Sequence, residues 1–311
     1  MKDTFLQDIV EHLSGTPKKL PSKYFYNNKG SKLFQMIMDM PEYYLTNSEY
    51  EVLETQSEAI YHSIDSTKKY EIVEFGAGDG SKTKLLLKEF IKHQPEIIYS
   101  PIDISKSALV ELEESFKKDI PQLNVNPLND TYFSALDKIS GRDTVKIVLF
   151  LGSNIGNFKD EQELEFLRAI SKNLTKDDYL FIGFDMRKDP KVILDAYNDR
   201  TGITAQFNLN LLQRINDELG GNFDLNKFKH YPTYDPISGE AKSYLISMEE
   251  QTVQIGDAEI HFDYAEPIFM EVSKKYSEQQ IDELAAKTGF RKIKNFYDCR
   301  HFFADSLWSV I

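Results

Sequence analysis

Tyr70-Glu71-Ile72-Val73-Glu74-Phe75-Gly76-Ala77-Gly78-Asp79-Gly80 runs from an apolar strand into a glycine turn. Lys82 to His93 then reads as a helix with Leu85, Leu86, Leu87, Phe90 and Ile91 apolar, and a second strand from Ile97 ends on Asp103. Strand, glycine turn, helix, strand and carboxylate is the order in which a doubly wound α/β domain holds an adenosine-containing cofactor. Glycine lets the turn approach a ligand with no Cβ in the way, and a carboxylate at Asp103 can grip ribose hydroxyls.

The spacing separates two cofactor classes. A dinucleotide fingerprint needs G-x-G-x-x-G, and counting from Gly76 its third glycine falls on Ser81. The chain has G-x-G-x-G, with Glu74 two residues before it, as in S-adenosylmethionine methyltransferases. Their sulfonium cofactor has no pyrophosphate to seat and tolerates an acidic site. The bland alternative is a glycine turn that only starts a helix; Asp103 shifts the balance toward a cofactor.

The 311 residues suit one elaborated domain or two, and 41% hydrophobic content with 13% aromatic is ample for a core. A net charge of −13 argues against a nucleic-acid partner. Cys299 is the single cysteine, which fits a reducing cytoplasm. The start, Met1 to Phe5, is polar and amphipathic and does not read as a signal peptide, and no stretch has the length of an apolar membrane span. Six scattered histidines make a metal site improbable, and neither a G-x-S-x-G elbow nor a phosphate-binding G-x-x-x-x-G-K occurs.

Further along, Ser105 caps a helix carrying Ala108, Leu109, Leu112 and Phe116. Thr144 to Leu151, broken only by Lys146, and Tyr179 to Phe184, ending at Asp185, read as strands buried on both faces, with a helix from Glu161 to Leu174 between them. This rhythm predicts a parallel sheet with helices on both faces. Pro190 to Tyr197 and about Thr204 to Leu219 are predicted helices, followed between Tyr231 and Tyr264 by antiparallel strands turning at Ser238-Gly239 and Gly256-Asp257. Ser277 and Gln280 form a capping box for a helix ending at Gly289, and Ile293–Tyr297 with Phe302–Val310 read as a closing hairpin. The predicted fold class is thus α/β, a Rossmann-like sheet with an inserted α+β substrate-binding domain. Residues 50–196 and 274–311 are read as the cofactor domain, and 1–49 and 197–273 as a substrate-binding or lid domain roofing the site. The lysine pairs Lys18-Lys19 and Lys274-Lys275 read as solvated surface.

Four more segments carry a family resemblance: Tyr24-Phe25-Tyr26 with Gly30-Ser31, Pro41-Glu42-Tyr43-Tyr44, Leu151-Gly152-Ser153-Asn154-Ile155-Gly156-Asn157, and Glu271-Val272-Ser273-Lys274-Lys275-Tyr276. With Gly76 to Thr83, Asp103 and Asp185-Pro190-Tyr197, the chain from about Leu20 to Ser277 resembles the histidine-specific Nα-methyltransferases of ergothioneine biosynthesis, which use a class I methyltransferase fold. The resemblance implies S-adenosyl-L-methionine as cofactor, with Tyr43 closing over it, Gly76 and Lys82 at its methionine and backbone-facing portion, Asp103 on the ribose, Asp130 near adenine and Gly152 lining it. It implies Asn157 and Tyr197 on the substrate's α-carboxylate and amine, Tyr26 beside the amine, and Glu271 with Ser273 on the imidazole. Tyr26 and Asn157 are the expected catalytic pair, and no metal is expected. The implied reaction methylates the α-amine of L-histidine, three times, to the betaine; the alternative acceptor is another amino acid or an aromatic amine. The expected partner is that small molecule alone, with no nucleic acid or membrane, and the chain is expected to act as a monomer. Ser153-Asn154 stands where the family tends to have small residues, and Asp79-Gly80 gives a more ordinary methyltransferase turn.

The Glu271/Ser273 role also has a chemical basis. Neutral imidazole offers one donor and one acceptor, and i, i+2 spacing on an extended segment sends both side chains to one face. The bland alternative is a polar pair facing solvent. The bland alternative for Asn157 after Gly156 is a turn-shaping asparagine, but its place at the carboxyl end of the fourth strand favours function; for Lys82 the alternative is a solvated helix lysine.

Overall fold

The computed structural model describes residues 2–64 and 68–311; Met1, which begins the segment read as a non-signal start, lies outside them. The helices are α1 (Lys2–Ser14), α2 (Asn28–Met38), α3 (Tyr44–Tyr61), α4 (Ser81–His93), α5 (Lys106–Asp119), α6 (Tyr132–Ile139), α7 (Asp160–Lys172), α8 (Pro190–Tyr197), α9 (Ile203–Leu219) and α10 (Glu278–Lys287). The strands are β1 (Tyr70–Phe75), β2 (Ile98–Asp103), β3 (Asn124–Val125), β4 (Leu128–Asn129), β5 (Val145–Phe150), β6 (Tyr179–Asp185), β7 (Phe228–Asp235), β8 (Glu240–Ser247), β9 (Gln251–Ile255), β10 (Ala258–Phe262), β11 (Pro267–Lys274), β12 (Phe290–Tyr297) and β13 (Phe303–Val310). They fall into two compact units, residues 45–187 with 275–311, and residues 1–44 with 188–274.

In the first unit the sheet order is β12-β13-β6-β5-β1-β2-β3, with β4 also on β2. β1, β2, β5 and β6 run parallel, whereas β13 enters antiparallel between β6 and β12. The central strands β1, β5 and β6 are buried along their whole length because each face has its own core. Val145, Ile147 and Leu149 of β5 pack in one cluster, and Val148 and Phe150 in the other. Helices on both faces therefore follow from the sequence, as predicted. The capping box at Ser277 and Gln280 forms with both reciprocal hydrogen bonds.

The order of strands reverses between β1 and β5, and open α/β sheets bind ligands at that point, outside the carboxyl ends of the strands. Both strands end there in a glycine at positive φ, Gly76 (70°) and Gly152 (76°). Gly80 has a different task. A Cβ on it would lie 2.4 Å from Phe116 Cε2 and 2.8 Å from Leu112 Cδ1, so it lets α4 start tight against α5. Glu74, the acid of the motif, faces inward. It accepts hydrogen bonds from Thr83 Oγ1 (2.6 Å) and Tyr99 (2.5 Å), and burial pushes its carboxyl up to about 7 despite both. It ties β1 to α4 and β2.

In the second unit β11, β8 and β7 form an antiparallel sheet, and β9–β10 a separate hairpin. Residues 18–20 extend the sheet beside β11, with Leu20 N–H donating to Phe269 O (2.9 Å) and Phe269 N–H to Lys18 O (3.0 Å). Leu211, Leu212 and Ile215 of α9 anchor the core with Leu33 and Ile37 of α2 and Phe5 and Ile9 of α1.

The reading of the lysine pairs as solvated holds for Lys19, which is exposed, and needs correction at Lys18 and Lys275. Lys275 and Asp185 are fully buried and pair at 2.7 Å. Lys18 is mostly buried and pairs with Glu266 at 2.7 Å. Local sequence shows a charged doublet, but the partners lie far along the chain. Breaking a buried pair strands the remaining charge. Lys275→Met is expected to cost about 3–5 kcal/mol in urea unfolding, and adding Asp185→Asn is expected to recover much of that loss.

Candidate functional site

The first unit carries Gly76, Lys82, Asp103, Asp130, Gly152 and Asn157 at or just beyond the carboxyl ends of its parallel strands, Lys82 in the first turn of α4. Asp103 closes β2, half-buried, and its Oδ1 accepts the Ser105 N–H at 2.7 Å. A Cβ at Gly76 would stand 3.2 Å from the Tyr132 hydroxyl. The turn is therefore narrow, and glycine keeps it open to a ligand. The Asp130 carboxylate is engaged locally by Lys138, by Ser134 Oγ (2.8 Å) and by the Thr131 N–H (2.8 Å). Those partners, Lys138 first, pull it down to about 2. Its side chain braces the start of α6.

After β5 the chain turns sharply. Ser153 sits at φ 54°, buried, with its Oγ accepting the Asp185 N–H at 3.0 Å. Asn154 donates to Leu151 O at 2.8 Å. This left-handed turn starts a short 3-10 helix, Asn154–Asn157, whose last residue is exposed. The Ser153-Asn154 departure thus shapes the turn and delivers Asn157 to the surface of the loop cluster.

Lys82 is not a solvated helix lysine. Its ammonium pairs with Glu49, which is 1% exposed. Glu49 also accepts the Gly152 N–H at 2.6 Å. Burial pulls the lysine down, but the Glu49 charge overrides it and the net direction is up. Sequence reading missed Glu49, which nothing local distinguishes from other helix acids. It also missed Asp305, an acid inside the apolar run Phe303 to Val310. That placement is itself a signal, because an acid in a strand buried on both faces needs a reason.

The second unit gathers Tyr26, Tyr43, Tyr197, Glu271 and Ser273. A register shift between Phe269 and Glu271 resets β11, after which Glu271 pairs with Ser243 and Ser273 with Ala241. Glu271 and Ser273 therefore share one face, as their spacing predicts. Ser273 is buried and Glu271 half-buried. Tyr26 is crowded yet open. Its ring packs on Phe34 (5.5 Å) and Phe207 (5.8 Å) while 51% of its surface remains exposed. Burial, then the Glu271 charge, push its phenol further up, so it stays protonated and Glu271 lies within electrostatic reach. Tyr43 packs edge-on to Phe34 at 6.3 Å. Tyr197 ends α8, which packs on β7 and β8.

The Tyr26 segment is held from α9. Asn27 Oδ1 accepts the Gly30 N–H (2.8 Å) and the buried Asn210 amide (3.0 Å), while Arg214 donates to Tyr24 O (3.0 Å). Among the described residues no helix is long and apolar enough to cross a membrane.

Comparison with known proteins adds identity to this geometry. A family profile described as histidine-specific, SAM-dependent methyltransferase matches residues 5–310. A histidine Nα-methyltransferase of Mycobacterium tuberculosis is 32% identical over 94% of this chain and 90% of that protein. One from Mycolicibacterium smegmatis is 32% identical over 92% and 88%. Ergothioneine biosynthesis protein 1 of Schizosaccharomyces pombe is 30% identical over 89% of this chain but 37% of its own length.

Proposed function

The chain belongs to the family of histidine-specific, SAM-dependent methyltransferases, and from that premise we propose that it methylates the α-amine of L-histidine, three times, giving the betaine. One observation carries the choice of acceptor: Glu271 and Ser273 share one face of β11. A carboxylate and a hydroxyl match the donor and acceptor of an imidazole.

Bound S-adenosylmethionine supplies an electrophilic methyl on a sulfonium. Asp103 would hold the ribose hydroxyls, the backbone at Asp130 the adenine, and Gly76, Gly152 and Lys82 the methionine end, with Tyr43 closing over the donor. Asn157 and Tyr197 would hold the amino acid's carboxylate and amine. Attack needs a lone pair, so the ammonium must first lose a proton. A phenol pushed upward is no base near neutral pH, so Tyr26 would act by accepting a hydrogen bond that fixes the amine while the proton leaves to water. Holding amine and methyl about 3–3.5 Å apart in line then supplies much of the rate. Positive charge accumulates with each methyl, and aromatic faces at Tyr26 and Tyr43 suit it.

The same reading takes a small-molecule partner only, with no nucleic acid or membrane, which the net charge of −13 supports. It takes a monomer, and a reducing cytoplasm in keeping with the single cysteine. Incubation with S-adenosylmethionine and single amino acids, followed by mass spectrometry, tests it. The expected result is S-adenosylhomocysteine with histidine gaining three methyl masses. Turnover of tryptophan or tyrosine without histidine overturns the acceptor assignment.

A further inference from the structure

We propose that Glu49 is a positioning residue for the methionine end of the methyl donor, fixing the Lys82 ammonium and the Gly152 N–H together above a buried Asp305 carboxyl. This rests on the reading that Lys82 and Gly152 line that donor. Strand order supplies the direction. Asp103 ends β2, Gly76 follows β1 and Gly152 follows β5, and these strands are neighbours in the order β2-β1-β5. A ligand with its ribose at Asp103 that crosses the glycine turn brings its other end to Gly152 and Lys82. The Lys82 Nζ lies 3.9 Å from where a Gly152 Cβ would stand.

At that end a single carboxylate governs two groups from different elements. Glu49 Oε1 takes the Gly152 N–H and Oε2 takes the lysine. An ammonium has three donors, so two remain for a ligand once Glu49 has fixed the first. The sheet is shaped to admit this carboxylate. Gly183 of β6 pairs with Asp305 of β13, and a Cβ on Gly183 would lie 2.6 Å from Glu49 Oε1. Asp305 is fully buried, and neither of its carboxyl oxygens has a hydrogen-bond partner. Burial, then the Glu49 charge, push it well up, against the pull of Lys82. The task of Glu49 is placement, because one carboxylate fixes both the ammonium and the Gly152 N–H.

Calorimetric titration of the full chain with S-adenosylmethionine and with 5′-methylthioadenosine, which lacks the amino-acid end, tests the proposal. In Glu49→Gln the amide oxygen still accepts the Gly152 N–H, but the amide nitrogen faces the ammonium. S-adenosylmethionine is expected to bind about tenfold or more weakly, the scale of one charge-assisted hydrogen bond. Methylthioadenosine affinity and, at saturating donor, the KM for histidine should stay within about twofold. Lys82→Met should weaken S-adenosylmethionine similarly, and the double variant should bind no more weakly than the worse single one, because both act through one contact. Gly183→Ala, which crowds the same carboxylate from the sheet, carries the same expectation and serves if Glu49→Gln does not fold. The proposal is overturned if Glu49→Gln binds S-adenosylmethionine normally, or loses both ligands alike. If Lys82→Met leaves S-adenosylmethionine affinity unchanged, the underlying donor reading fails instead, and the proposal with it.

Discussion

Glu271→Ala is expected to lower kcat/KM for histidine by about a hundredfold, mostly through KM, with S-adenosylmethionine affinity unchanged. On the proposed assignment the variant loses a charged hydrogen bond to imidazole, and a site that pairs a polar ring discriminates strongly when one partner goes. Glu271 belongs to the unit of residues 1–44 and 188–274, whereas the proposed donor ligands Asp103, Lys82 and Gly152 belong to the other, so the two effects should separate cleanly. Initial rates against histidine, beside calorimetry with the donor, make the measurement. An unchanged Michaelis constant for histidine would remove Glu271 from the imidazole. Serine at 273 makes a second check, since Ser273→Ala should show the same pattern to a smaller degree.

Gly30→Ala is expected to be as damaging, although residue 30 touches no proposed ligand. A Cβ there would stand 1.9 Å from Phe25 O, a backbone atom that cannot swing aside. Relief requires the start of α2 to move away from the Tyr24–Asn27 segment. That motion breaks the Asn27 cap on Gly30 and disturbs its bond to Asn210, and it shifts Tyr26. Overpacking of this kind costs about 3 kcal/mol, read as a lower urea midpoint. A misplacement near 1 Å can cost about a hundredfold in rate, so histidine turnover should fall by at least tenfold with donor binding kept. A folded Gly30→Ala protein with normal histidine kinetics would show that Tyr26 is not held through this segment.

The sheet was legible because its strands are long, apolar and punctuated. The motif at Gly76 to Gly80, the carboxylate at Asp103 and the capping box at Ser277 are all short-range signals, and each produces the local structure that its spacing predicts. The antiparallel strands of the second unit were visible at their turns, but its division into a three-stranded sheet and a separate hairpin was not. That division depends on which strands find partners far away in sequence. The same limit explains the charged residues. Lys275 reads as surface until Asp185 is found beside it, and Glu49 gains its meaning only when α4 brings Lys82 and β5 brings Gly152 to it. The glycines show the converse. Gly76, Gly80 and Gly152 are alike in sequence, yet Gly80 packs against α5, whereas Gly76 stands beside the Tyr132 hydroxyl and Gly152 beside Asn154 and Lys82.

The path of the chain out of and back into the sheet unit has an evolutionary consequence. Residues 188–274 leave after Arg187 and return at Lys275. Met186 and Tyr276 are bridged there, with Tyr276 N–H donating to Asp185 O and Arg187 N–H to Tyr276 O, both at 2.9 Å. Exit and entry are thus stapled side by side, which is the condition under which an inserted stretch can drift or be exchanged without shifting the host's register. A lineage can therefore rewrite the stretch that carries Glu271 and Ser273 while the register of the parallel strands is inherited intact.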